Sequence, residues 1–170
     1  MTARPVSSAN LASSVFHSRS LLPSGPPESA VVAGDVVCVS GNGYVYALRM
    51  RDGRKLWQFG DGTRPWFPAA ITRGTVYVSG NDGKLYALRA SNGAGIWRFA
   101  TGGDIASACT FAQGIVYLGS NDHNVYALRA DDGQKVWSFA TGAQVSASPT
   151  LVDGVAYVGG TDGNVYALRA

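Results

Sequence analysis

The chain is poor in the residues that build helices. Glutamate occurs once, as Glu28, methionine twice and lysine three times in 170 residues. Their scarcity excludes a helical repeat as the organising principle. Cysteine occurs only as Cys38 and Cys109, too few and too far apart for a disulfide framework or a cysteine-held metal. Both suit the role of a small buried hydrophobe. No run of about 18 apolar residues is present, so no membrane span is expected. The N-terminus carries Arg4 without the apolar stretch of a secretory signal, and the chain as written reads as cytoplasmic. The net charge of +3 is mild and its basic residues are dispersed, which argues against a nucleic-acid partner.

Glycine is abundant, at 22 residues, alongside many valines, tyrosines, threonines and tryptophans. This composition favours strands. Tyr-Ala-Leu-Arg occurs at Tyr46–Arg49, Tyr86–Arg89, Tyr126–Arg129 and Tyr166–Arg169, a step of 40 residues each time. Trp57, Trp97 and Trp137 keep the same step, as do Gly34, Gly74, Gly114 and Gly154. A fixed period of this length marks a repeat architecture.

Residues 1–24 are rich in Ser, Ala and Pro and read as a flexible tail or linker. Within them, Val15-Phe16-His17 reads as a degenerate copy of Leu56-Trp57-Gln58. Residues 25–170 form the repeat region, with units at about 25–60, 61–101, 102–142 and an incomplete 143–170. The third unit shows the pattern most clearly. Small and apolar residues from Ile105 to Ala112 are followed by strand-like runs at Ile115–Gly119, Val125–Arg129 and Lys135–Phe139. Asp, Asn and Gly punctuate them, as hairpin turns require. A four-stranded sheet with two apolar faces needs a neighbour on each side. Such units packed around an axis make a β-propeller, here all-β with about four blades. A solenoid of hairpins is the structural alternative. The innermost strands carry small residues (Ser29-Ala30, Ala69-Ala70, Ala108-Cys109-Thr110, Ser148-Pro149-Thr150), as crowding near an axis demands.

The spacing of Ala47, Gly53 and Trp57 returns at Ala87, Gly93 and Trp97 and at Ala127, Gly133 and Trp137. An Ala followed by Gly six positions on and Trp ten positions on resembles the docking motif of the quinoprotein-like, or PQQ-like, β-propellers. The resemblance covers residues 26–170 and implies that Trp57, Trp97, Trp137, Gly53, Gly93 and Gly133 dock neighbouring blades. Two features depart from the family pattern. Arg49, Arg89, Arg129 and Arg169 stand where the family has Asp, and Asp52-Gly53, Asn92-Gly93 and Asp132-Gly133 replace Thr-Gly. The resemblance implies one of two function classes. Some members are quinone-dependent dehydrogenases; others resemble the propeller of the outer-membrane assembly machinery or the sensor domains of bacterial Ser/Thr kinases, which bind without chemistry. Many such relatives are periplasmic or extracytoplasmic.

The residues favour the second class. A quinoprotein site implies Ca²⁺, an Asp base, acidic ligands and often adjacent cysteines. This chain has one glutamate, and its Asp82, Asp122 and Asp162 occupy hairpin turns that explain them. No catalytic residue, metal site or cofactor is expected; PQQ enters only through the resemblance. His17 and His123 have no partner in sequence, and His123 replaces the turn glycine of Gly83 and Gly163. The four repeated arginines would form an arc on one rim, suited either to an acidic partner or to pairing with turn aspartates. The sharpest irregularity is Arg64-Pro65-Trp66-Phe67-Pro68, whose Trp66 has Pro26, Ala106 and Ser146 as repeat mates. Arg64, Trp66 and Phe67 are candidate binding residues, since Arg and aromatics dominate binding hot spots; Trp66 equally suits a plug or cover. The expected function is a non-catalytic scaffold or binding module, with a dehydrogenase fragment as the alternative. Four repeats leave three possibilities: a piece of a longer protein, a half-ring that pairs with a second copy, or a four-bladed ring closed by Val15-Phe16-His17. The expected partner is a protein or a second copy that completes the propeller.

Overall fold

A computed structural model describes residues 29–64 and 66–169. The tail at 1–24, the Val15-Phe16-His17 stretch, Pro26 and Glu28 lie outside the described residues. All regular structure among the described residues is β. The first sheet holds β1 (Ser29–Ala33), β2 (Val36–Gly41), β3 (Tyr44–Arg49) and β4 (Lys55–Gly60). The second holds β5 (Trp66–Thr72), β6 (Thr75–Gly80), β7 (Lys84–Arg89) and β8 (Gly95–Ala100). The third holds β9 (Thr110–Ala112), β10 (Ile115–Ser120), β11 (Asn124–Arg129) and β12 (Lys135–Ala140). The fourth has three strands, β13 (Thr150–Val152), β14 (Val155–Gly159) and β15 (Val165–Arg169). Each sheet is an antiparallel meander in chain order, the blade topology of a partial propeller.

Turn chemistry explains the hairpins. Between β5 and β6, Arg73 and Gly74 have φ of 48° and 76°, the two left-handed residues of a turn that matches strand twist. His123 takes the same left-handed role, at φ 68°, that Gly83 and Gly163 take at 75° and 82°. The third and fourth strands of the first three blades share a bulge, between Ala47 and Leu48, Ala87 and Leu88, and Ala127 and Leu128. A repeated irregularity of this kind re-aims the strand that carries the tryptophan.

Apart from a small cluster of Val39, Tyr46 and Leu48 that belongs to the first sheet alone, the apolar cores lie between blades. One joins Cys38, Val45 and Trp57 of the first blade to Trp66, Val76 and Leu88 of the second. The next joins Tyr77 and Leu85 to Ile105, Cys109, Val116 and Leu128. A third joins Tyr117 and Ala127 to Ala156. Neighbouring blades therefore stabilise one another, as the two apolar faces of each sheet require. The inner strands differ from the sequence expectation. β5 has seven residues, but β9 and β13 have three, so Ala108-Cys109 and Ser148-Pro149 precede the strands. There the chain leans on the preceding blade: Ile105 N donates to Gly80 O at 3.4 Å and Val145 N to Ser120 O at 3.1 Å. Both free cysteines are buried, and burial pushes each thiol up to about 12.

Candidate functional site

The tryptophans stitch blade to blade. Trp57 Nε1 donates to Ala90 O at 2.8 Å, and Trp97 Nε1 to Ala130 O at 2.9 Å. Each indole also lies flat on the next blade's glycine. A Cβ on Gly93 would come within 2.9 Å of Trp57, and one on Gly133 within 2.5 Å of Trp97. Trp137 is half-buried, and among the described glycines none has a Cβ position that would meet its ring. Beside it an open groove of about 320 Å³ is lined by Trp137, Phe139, Leu168 and Arg169. No described strand pairs with the outer edge of β15, and Val165 keeps 75% of its surface.

On the opposite rim a second device repeats. Asp122 Oδ2 accepts from Tyr126 OH at 2.6 Å and from Gly102 N of the preceding blade at 2.7 Å. Asp162 accepts from Tyr166 OH and from Gly142 N. Asp82 accepts from Tyr86 OH at 2.6 Å. Burial alone would raise Asp122, but the bonds from Tyr126, Gly102 and Asn124 outweigh it and hold the carboxyl below its ordinary value. The bond from Tyr166, then that from Asn164, likewise lowers Asp162. Desolvation, then the bond to Asp82, pushes Tyr86 up to about 12. Turn geometry alone does not account for these aspartates. The signal was present as Asp-x-x-x-Tyr in three consecutive repeats; what it binds in the neighbouring blade is not visible in sequence.

The arginines divide. Arg49 pairs with Asp52 at 3.4 Å and Arg129 with Asp132 at 2.5 Å. Asn92 replaces the aspartate beside Arg89, and among the described residues Arg89 and Arg169 form no ion pair. The intrablade pairs realise the turn-aspartate reading for two of the four.

Arg64, Trp66 and Phe67 are not brought together as one site. Arg64 is exposed and donates to Asn81 O at 3.1 Å, while Phe67 is half-buried in β5. Trp66 turns inward and is 5% exposed. Gly80 makes room for it, since a Cβ there would lie 2.5 Å from the indole; the repeat mate of Gly80 is Ser120, whose hydroxyl bonds instead to Thr101 and Gly103. Trp66 meets Phe59 at 5.1 Å and Tyr86 at 5.7 Å, and those two rings meet at 4.9 Å. The three rings, with Gln58, Asp61 and Asp82, line an open groove of about 370 Å³ between the first two blades. Phe59 and Tyr86 are residues that sequence reasoning passed over, because the repeat gives each an ordinary packing mate.

A family model described as outer membrane protein assembly factor BamB, built on PQQ-like repeats, matches residues 41–170. The chain belongs to this family. A crystal structure of BamB from Moraxella catarrhalis superposes with a TM-score of 0.70 and 26% identity over 80% of this chain and 43% of that one. The chain thus spans less than half of that BamB. The computationally designed Ika4 protein superposes with a TM-score of 0.77 at 16% identity, over 88% of this chain and 94% of that one, and shows the fold alone. The quinohemoprotein alcohol dehydrogenase ADHIIG from Pseudomonas putida HK5 matches at a TM-score of 0.57 and 28% identity, over 65% of this chain and 20% of that one. No curated protein matches the chain.

The dehydrogenase likeness raises the question of a quinone and its cation. Hard cations need several converging oxygens. Asp82, Asp122 and Asp162 lie on three different blades, and each carboxylate is taken up by a tyrosine hydroxyl. No group of three or more potential ligands converges among the described residues. The oxygens of these described aspartates do not converge as a quinone-bound cation would require. Among the described residues no helix is long and apolar enough to cross a membrane.

Proposed function

We propose that the chain is a non-catalytic propeller scaffold that binds protein through the groove and edge formed by β12 and β15. The observation that carries this reading is Trp137, half-buried at the third interface and lining an open groove. In the first two blade interfaces the equivalent tryptophan covers a glycine and donates to a main-chain carbonyl. At the third interface Trp137, with Phe139 and Leu168, lines an open apolar groove beside the edge of β15, which no other described strand pairs. A strand added to that edge satisfies its backbone groups, and a turn carrying a small residue covers the indole. The occupant proposed is a second copy of this chain. The chain matches 43% of the BamB chain, so two copies together approximate the length of one such chain. The family description, an outer membrane protein assembly factor, supports a scaffold in the cell envelope rather than the cytoplasmic location read from the bare chain.

The competing reading, a piece of a quinone-dependent dehydrogenase, is tested by titrating PQQ with Ca²⁺ into the protein and following the quinone absorbance. The scaffold reading predicts no saturable spectral change. A saturating shift that chelation of Ca²⁺ reverses would return the chain to the enzyme class.

A further inference from the structure

We propose that the groove between the first two blades binds the alkylammonium group of a small organic cation. Its three rings stand at 61–75° to one another, so they form walls of a corner rather than a stack. Aromatic faces attract cations through their quadrupole, and walls of this kind suit a quaternary ammonium. Two carboxylates stand at the rim of the same groove. Asp61 is held in its turn by Thr63, whose N and Oγ1 donate to it at 2.9 and 2.7 Å. Asp82 faces the groove while pairing with Lys84 at 3.0 Å. A volume of about 370 Å³ lies within the usual range for small-molecule sites.

A second observation points to a ligand. Trp66 is 5% exposed, and its indole N–H meets no acceptor among the described residues. Buried indole N–H groups ordinarily find a partner. The other indoles that dock blades do so here, on Ala90 and Ala130. Choline carries the quaternary ammonium that such ring walls suit. The later interfaces keep the Phe–Tyr pair, as Phe99–Tyr126 and Phe139–Tyr166, but have Ala106 and Ser146 in place of the tryptophan. The site is therefore specific to the first interface. It is independent of the scaffold reading, and either one can fail alone.

The test uses the whole chain, ¹⁵N-labelled, and follows the four tryptophan indole signals while choline chloride is added at constant ionic strength. Trp66→Phe identifies the Trp66 signal. The expected result is a saturable shift of that signal with a dissociation constant of about 1 mM, the scale of a few weak cation–π and ionic contacts. The uncharged isostere 3,3-dimethylbutan-1-ol produces no saturable shift. Asp61→Asn, at an exposed position, and Phe59→Leu each weaken binding about three- to fivefold, while unchanged Trp97 and Trp137 signals show that the fold is intact. An equal response to the neutral isostere, no response to choline, or unaltered binding in both variants would overturn the proposal.

Discussion

Replacing Gly133 by alanine isolates what the blade docking contributes. Gly133 sits at φ +71°, and a Cβ there would lie 2.5 Å from Cε3 and 2.7 Å from Cδ2 of Trp97. Gly114 has a similar backbone, at φ +83°, but a Cβ on it meets nothing within 4 Å. Both substitutions carry the left-handed backbone penalty of roughly 1–2 kcal/mol. Only Gly133→Ala must also displace a large ring packed between two blades, an overpacking cost of about 1–3 kcal/mol. Gly114→Ala should therefore cost about 1–2 kcal/mol and Gly133→Ala about 3–4 kcal/mol. The difference of roughly 2 kcal/mol lowers the melting temperature by about a further 6 °C in a domain of this size. Urea unfolding followed by circular dichroism measures both. In a Trp97→Ala background the excess at Gly133 should vanish, because the ring it opposes is gone. Equal costs at the two glycines, or an excess that survives loss of Trp97, would refute the docking argument.

Other outcomes follow from the same geometry. Asp122→Ala leaves Gly102 N and Tyr126 OH without their acceptor and should cost about 2 kcal/mol by thermal unfolding; Asp122→Asn, which keeps an acceptor, should lose less. His123→Gly relieves a left-handed residue at φ 68° and should raise stability by about 0.5–1 kcal/mol, because the hydrogen bonds made there use only the main chain. Stability should fall at both ends of the pH scale. Asp122 and Asp162 are lowered from an ordinary 3.8, so their contribution is present above about pH 4 and lost as pH falls through the folded values. Cys38, Cys109, Tyr77 and Tyr86 are raised to about 12 from 9.0 or 10.0. Their contribution is intact below pH 9 and lost between pH 9 and 12. A flat urea midpoint from pH 8 to 11.5 would contradict the alkaline limb.

The fold was legible because the repeat writes each local signal several times. The step between Tyr46, Tyr86, Tyr126 and Tyr166 set the blade length, and turn residues such as Asp82, Asp122 and Asp162 marked the hairpins. The Ala-Gly-Trp spacing also carried across the chain, because Trp57 and Trp97 act on backbone at a fixed register in the next blade. Relations between blades were less legible. Asp122 reads as a turn residue within its own hairpin, and only the juxtaposition of blades brings Gly102 N to its second oxygen. Trp66 was visible as an irregularity, yet its direction depended on Gly80, which offers the room that Ser120 denies in the next blade. The groove it lines needs Phe59, seven residues upstream, and Tyr86, twenty downstream. No periodicity joins these three. The four arginines were seen as a set, but whether each is paired depends on one neighbour, Asp52 and Asp132 against Asn92.

The most direct test of the scaffold reading is the solution mass of the 170-residue chain, measured by light scattering on a sizing column. The account predicts twice the 17.7 kDa chain mass, falling to the monomer when Leu168→Lys places a charge in the groove beside Trp137. A single species of 17.7 kDa across the accessible concentration range, unaffected by that substitution, would contradict completion of the fourth blade by a second copy.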